Sequence, residues 1–354
     1  MDSLESLNWM KEVGIYDQAV KYAPRLKKVF LECLPTTSEK VLIIGDIGFQ
    51  NKYVASIIAG SYYLASQDLN IESKLLFQSP KDRSQNADAD VLNALKDLDE
   101  KSNIILSMSD KLGNIPFSSF RDFTKKKGHR FISALSLGDL ETEKAELVVE
   151  PIDIDYKTIQ NQIIKFKEKL DIAEEITINT KSGTNLVFNI KGINSVLSHG
   201  IYSNPGEGGN LPAGEVFISP NGKRVEGTVV IDGSSRNFEG TKVIQNPITL
   251  SIEDGSILTI DGEEEALKLE KSIEWATTLA KNPGGVRRIS ELGFGFNPKA
   301  QIIGSSIVDD KTCNTCHIGV GSNHWFGGSI YAVTHFGQIF KDPKIKIDGK
   351  TIKT

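Results

Sequence analysis

Short apolar runs alternate with helical stretches through the first 150 to 170 residues, and that alternation limits the fold more than any other feature of the chain. Residues 40–46 (KVLIIGD) are apolar and end in Gly45 and Asp46, as a buried parallel strand does where it leaves its sheet. Residues 52–66 are apolar and rich in alanine, which predicts a helix, and residues 74–77 (KLLF) supply the next strand. Residues 90–99 predict helix, 103–107 strand, 121–127 helix and 130–133 strand. A strand–helix repeat of this kind predicts an α/β layer fold. Ahead of it, the first 35 residues read as amphipathic helix, with Leu4, Leu7, Trp9 and Met10 among the apolar positions.

The pattern changes after residues 154–175, a helix with Ile159, Ile163, Phe166 and Leu170 on one side. Residues 175–180 and 186–190 flank Lys181-Ser182-Gly183-Thr184 as a hairpin does, and further strands are predicted at 228–233, 248–252 and 257–260, before a helix at 264–279. The expected architecture is an α/β N-terminal domain over residues 1–170 and an α+β C-terminal domain, rich in antiparallel sheet, over 171–354. A length of 354 residues suits two such domains.

Several function classes are disfavoured. The formal net charge is -5 and the lysines and arginines are dispersed, so no nucleic-acid partner is expected. No apolar run reaches the length of a membrane span, and no basic start leads into an apolar signal core. A cytoplasmic protein with no membrane partner is therefore expected. The Gly45-Asp46-Ile47-Gly48 stretch follows a strand but lacks the rest of a dinucleotide or phosphate-loop motif, and reads as turn chemistry.

The chemistry concentrates in the second half. Residues 313–335 (CNTCHIGVGSNHWFGGSIYAVTH) hold three of the five histidines, His317, His324 and His335. Upstream, Glu215 follows a Gly/Pro-rich stretch at the start of an apolar run, and Glu291 sits beside alternating glycines in ISELGFGFNP. Carboxylates and imidazoles together make a mixed oxygen and nitrogen donor set suited to zinc, manganese, cobalt or iron.

The stretches NLPAGEVF, ELGFGFNP and HIGVGSN with a glycine pair after it, then a last histidine ahead of IDGK, resemble the aminopeptidase T family in sequence and in order. The resemblance covers most of the chain. It implies metal binding by Glu215, Glu291, His317 and His335, a divalent zinc, cobalt or manganese, and a homodimer. It also implies hydrolysis of short peptide substrates at the N-terminal residue by metal-activated water. One departure is plain: the family's His-x-Asp is here His335-Phe336-Gly337. Four ligands are ample for one metal and thin for two. The family's catalytic tyrosine aligns near His324, with Tyr331 close by, so these two are the acid–base candidates.

Two other readings stay open. The same fold family resembles the non-haem iron dioxygenases that cleave dihydroxypyridine rings with a single iron, and a reduced ligand set suits that chemistry. A non-catalytic member that binds peptides or a partner is the third. Cys313-Asn-Thr-Cys316-His317 has the form of a haem-attachment signature, and the cysteines also invite comparison with a zinc knuckle. With no second CxxC and no export signal, two structural cysteines leading into a strand are expected.

Overall fold

Val41–Asp46 is buried at every position and lies between Ser73–Gln78 and Asn103–Ser107, parallel to both. Arg130–Ala134 extends the sheet beside Asn103–Ser107, and Gly208–Asn210 adds a fifth parallel strand beyond it. The computed structural model describes residues 1–82, 84–281 and 283–352. It divides into a unit of Met1–Tyr156 with Gly200–Ala213, and a unit of Lys157–His199 with Gly214–Thr354.

Helices cover both faces of the first unit's sheet, which is why its central strands Val41–Asp46 and Asn103–Ser107 are buried at every position rather than alternating. On one face Leu42, Ile44, Leu76, Ile104, Leu106 and Phe131 pack with Val91, Leu95 and Phe123 from the helices Ala89–Lys96 and Phe120–Lys127. On the other lies Val54–Asp68, itself packed against Tyr16–Lys28. Being covered on several sides, it carries apolar residues all around. The Gly45–Gly48 stretch is a turn held by its own acid. Asp46 accepts from the Gly48 amide (3.0 Å), the Ser109 amide (2.7 Å) and the Ser109 hydroxyl (2.6 Å).

The second unit contains two antiparallel seven-stranded sheets. In one, the strands Glu175–Asn179 and Asn185–Asn189 form the expected hairpin and lie among Val225–Ile231, Ile248–Glu253, Ser256–Asp261, Lys344–Ile347 and Lys350–Ile352. The other runs Gly240–Val243, Ser234–Asn237, His335–Lys341, Thr315–Gly321, Ile289–Gly295, Glu215–Ile218, Val196–Ser198. Phe166 of the helix Tyr156–Asp171 packs edge-on against Phe294 and Phe296, with ring centroids 4.9 and 5.1 Å away. The chain thus has the α/β and the antiparallel, α+β parts that its sequence pattern predicts. Among the described residues no helix is long and apolar enough to cross a membrane.

Candidate metal centre

Four neighbouring strands of the second sheet each bring one donor, and each donor stands opposite a glycine. Glu215 pairs with Gly295, His317 with Gly293, Glu291 with Gly319, and His335 with Gly321. Directly opposed residues in an antiparallel pair project to the same face, so these donors meet over a floor without side chains. The space is already used. A Cβ on Gly293 would lie 2.0 Å from His317 Cε1, and one on Gly319 would lie 2.5 Å from His335 Cε1 and 2.9 Å from Glu291 Cβ. At Gly295 the Cβ position is taken by the Thr312 carbonyl, 2.0 Å away, because the segment after the helix Ser306–Asp309 crosses the sheet there.

Within this hollow His317 Nε2 lies 3.2 Å from Glu215 Oε1 and 3.1 Å from Glu291 Oε1. All three residues are at most 5% exposed. His335 stands at the rim, half-buried, its Nε2 3.7 Å from Glu291 Oε2. Its Nδ1 lies 2.8 Å from the Ser322 carbonyl, an acceptor only, so the proton sits on Nδ1 and Nε2 presents its lone pair to the hollow.

The crossing segment brings two charged groups that the sequence reading passed over. Lys311 is buried, with Nζ 2.5 Å from Glu215 Oε2 and 3.7 Å from Asp310 Oδ2. Ligand atoms of Glu215, Asp310 and His317 all lie within 4.8 Å of one another. The one signal in the sequence was the run Asp309-Asp310-Lys311, three charges immediately before a strand headed for the core.

Electrostatics follow from this packing. Burial pushes the Glu215 carboxyl up, but Lys311 and His317 beside it outweigh burial and hold it at about 2. Burial pushes His317 down, and Asp310, Glu215 and Glu291 reverse this, raising it to about 10. Burial likewise works against the Lys311 ammonium, and Glu215 and Asp310 raise it above its ordinary value. In the metal-free site Lys311 and the protonated His317 offset the acids Glu215, Glu291 and Asp310, and a divalent cation would take the place of the His317 proton. Glu291 Oε2 and Asp310 Oδ1 are buried acceptors with no hydrogen-bond partner, which is what a cation between them would satisfy. The donor set therefore fits a divalent transition metal.

The remaining candidates lie elsewhere. His324 and Tyr331 are exposed and stack on each other, centroids 5.0 Å apart. His324 Nδ1 is 2.7 Å from the Ser322 hydroxyl, and among the described residues neither ring hydrogen-bonds a member of the buried cluster. Trp325 and Phe326, between them in sequence, pack with Phe217, and Trp325 sits edge-on to His335 at 6.1 Å. Cys316 is buried, Cys313 exposed, and no disulfide joins them.

A mutation tests the glycine floor. Gly293→Ala puts a methyl group inside the His317 ring position, so it is expected to lower stability by about 1–3 kcal/mol through overpacking and to weaken metal binding with no donor removed. Urea denaturation and a metal titration measure the two effects; unchanged metal affinity refutes the assigned packing.

Comparisons with known proteins bear on this geometry. A family model described as "NicX: 2,5-dihydroxypyridine 5,6-dioxygenase" matches residues 21–354. A 2,5-dihydroxypyridine 5,6-dioxygenase of Pseudomonas putida KT2440 is 24% identical over 220 residues, 58% of this chain and 61% of that protein. The match thus spans less than two thirds of that relative's length. The solved structure of the 2,5-dihydroxypyridine dioxygenase from Pseudomonas putida KT2440 superposes with a TM-score of 0.72 at 18% identity, covering 95% of this chain and 96% of that one. AmpT from Thermus thermophilus superposes with a TM-score of 0.59 at 14% identity, covering 95% and 97%. These findings correct the expectation of an aminopeptidase-like hydrolase, a protease with short peptides as substrates. AmpT is similar in fold, and the family match is to a dioxygenase. Likeness of fold does not by itself fix the chemistry of a site.

Proposed function

Because this chain belongs to the 2,5-dihydroxypyridine 5,6-dioxygenase family, we propose that it opens the ring of a dihydroxypyridine with dioxygen. In this reading one ferrous ion is held by Glu215, Glu291, His317 and His335. The observation that carries it is the family match over residues 21–354, a span that contains every residue of the buried hollow. When bound, ferrous iron supplies the redox chemistry and open coordination positions that reaction with dioxygen needs.

The chain's own residues hold and orient. Lys311 keeps Glu215 ionised, and the Ser322 carbonyl fixes the tautomer of His335 so that Nε2 faces inward. Gly337 leaves the His335 strand without its second donor, which suits one ion rather than two. Trp325 and Phe326, packed on Phe217 next to His335, offer aromatic faces for a flat heteroaromatic ring. His324 and Tyr331, exposed and stacked on each other, are assigned the exchange of protons with the substrate's hydroxyl groups.

The test is direct. Protein loaded anaerobically with ferrous iron and mixed with 2,5-dihydroxypyridine in air is expected to take up one dioxygen per substrate and to bleach the ring's absorbance. Iron-loaded protein that consumes no oxygen overturns the proposal.

A further inference from the structure

We infer that Asp310 is a further metal-ligating carboxylate of this centre, reaching from the crossing segment into the place that Gly337 leaves open. The inference rests on the reading of the hollow as a metal site and is independent of which ring is the substrate. Gly337 lies two residues beyond His335 on the same strand, opposite Gly319, so a side chain there would project to the donor face. A Cβ built on Gly337 meets one atom within 4 Å, Asp310 Oδ1 at 3.7 Å. The acid absent from the strand is thus matched by an acid from another segment, with its oxygen at van der Waals distance from where that side chain would begin.

The two neighbouring acids are used differently. Asp309 accepts from the Ser234 hydroxyl (2.6 Å) and from the amides of Ile303 (2.8 Å), Gly304 (3.2 Å) and Ser305 (3.1 Å). It anchors the turn. Asp310 Oδ1 is buried and accepts no hydrogen bond. Independently, Glu291, 4% exposed, also has a buried and unpartnered oxygen, Oε2. Two orphaned carboxylate oxygens in one hollow are unfavourable, and a cation held by both carboxylates would relieve them together. Asp310 also shares a 4.8 Å cluster with Glu215 and His317, so its oxygen can reach the same ion.

Cobalt(II) is the probe, because its visible absorption reports the coordination shell separately from turnover. Wild type, Asp310→Asn, Gly337→Asp and the double variant are titrated with cobalt against a competing chelator, and the fold of each metal-free protein is followed by circular dichroism. Asp310→Asn is expected to weaken cobalt binding at least tenfold and to change the visible spectrum. Adding Gly337→Asp to it is expected to restore most of the affinity, since the acid then returns from the strand. Gly337→Asp alone is expected to gain no affinity and to melt at a lower temperature without metal, as two like charges then face each other. Asp310→Asn that binds within twofold of wild type with an unchanged spectrum overturns the inference, as does folded wild type that binds no cobalt. Should Asp310→Asn alone fail to fold, the double variant decides: cobalt binding supports the inference and its absence overturns it. Wild type that binds cobalt through Asp310 yet, loaded with iron, takes up no oxygen with the dihydroxypyridine would refute the proposed substrate and leave this assignment standing.

Discussion

Lys311→Met is expected to destabilise the metal-free second unit by about 3–5 kcal/mol at pH 7, the penalty for removing one partner of a buried ion pair. Lys311 is 2% exposed and its ammonium touches Glu215 at 2.5 Å. Methionine preserves most of the volume, so the loss isolates the charge. Glu215 is then left facing Glu291 and Asp310 with only His317 to offset them. The pH dependence has a definite sign. In the wild type Glu215 titrates at about 2 rather than at its ordinary 4.5, so the ion pair's contribution is complete above pH 4.5 and is lost as pH falls from there toward 2. Without Lys311, burial raises the Glu215 carboxyl and protonation relieves the variant. The stability gap is therefore expected to narrow as pH drops from 7 toward 4. Urea denaturation at both pH values measures it. A variant as stable as wild type at pH 7 shows that Lys311 does not hold the acid in its charged form.

His317→Ala is expected to weaken metal binding by more than about 100-fold, the upper range reached by loss of an outer-shell partner alone, and to abolish dioxygen uptake with the dihydroxypyridine. His317 is the residue common to both glutamates, 3.2 Å from one and 3.1 Å from the other, so no neighbour can replace its nitrogen. His324→Ala supplies the contrast. Its ring is exposed and stacked on Tyr331, outside the hollow, and it is expected to keep the metal while turnover falls. Equal metal content in His317→Ala and wild type places the metal elsewhere.

The first four strands of the first unit's sheet in chain order are legible because parallel strands covered on both faces carry short apolar runs; Asn103–Ser107 coincides with its expectation residue for residue. The helix Glu264–Leu279 is legible for the opposite reason, a long stretch with polar and apolar sides. Gly208–Asn210 and Val196–Ser198 are not legible. Three residues of glycine, asparagine or mixed character carry no period, and their strand form comes from the neighbours they pair with. At the site, Glu215, Glu291 and His317 stand out through the glycines around them, yet those glycines serve partners on other strands. Gly295 clears space for the Asp310–Thr312 segment and not for Glu291 beside it in sequence. Asp310 and Lys311 escape a linear reading because nothing local tells that their segment folds back across a sheet. The chemistry was misread for a related cause. The fold is similar to that of AmpT while the family match is to a dioxygenase, and a shared fold does not say which reaction a site serves.

The glycines opposite the donors also determine how this centre can be redesigned. A hollow cast from missing side chains accepts exchange of its contents more readily than change of its walls: aspartate, glutamate and histidine can trade places as donors within the same volume. A methyl group at Gly293 or Gly319 would fall inside the space that His317, His335 and Glu291 now fill. A library that randomises the donors and keeps the glycines fixed therefore samples new metals and reactions on an intact scaffold. One that randomises the glycines opposite the donors spends its variants on overpacked sites.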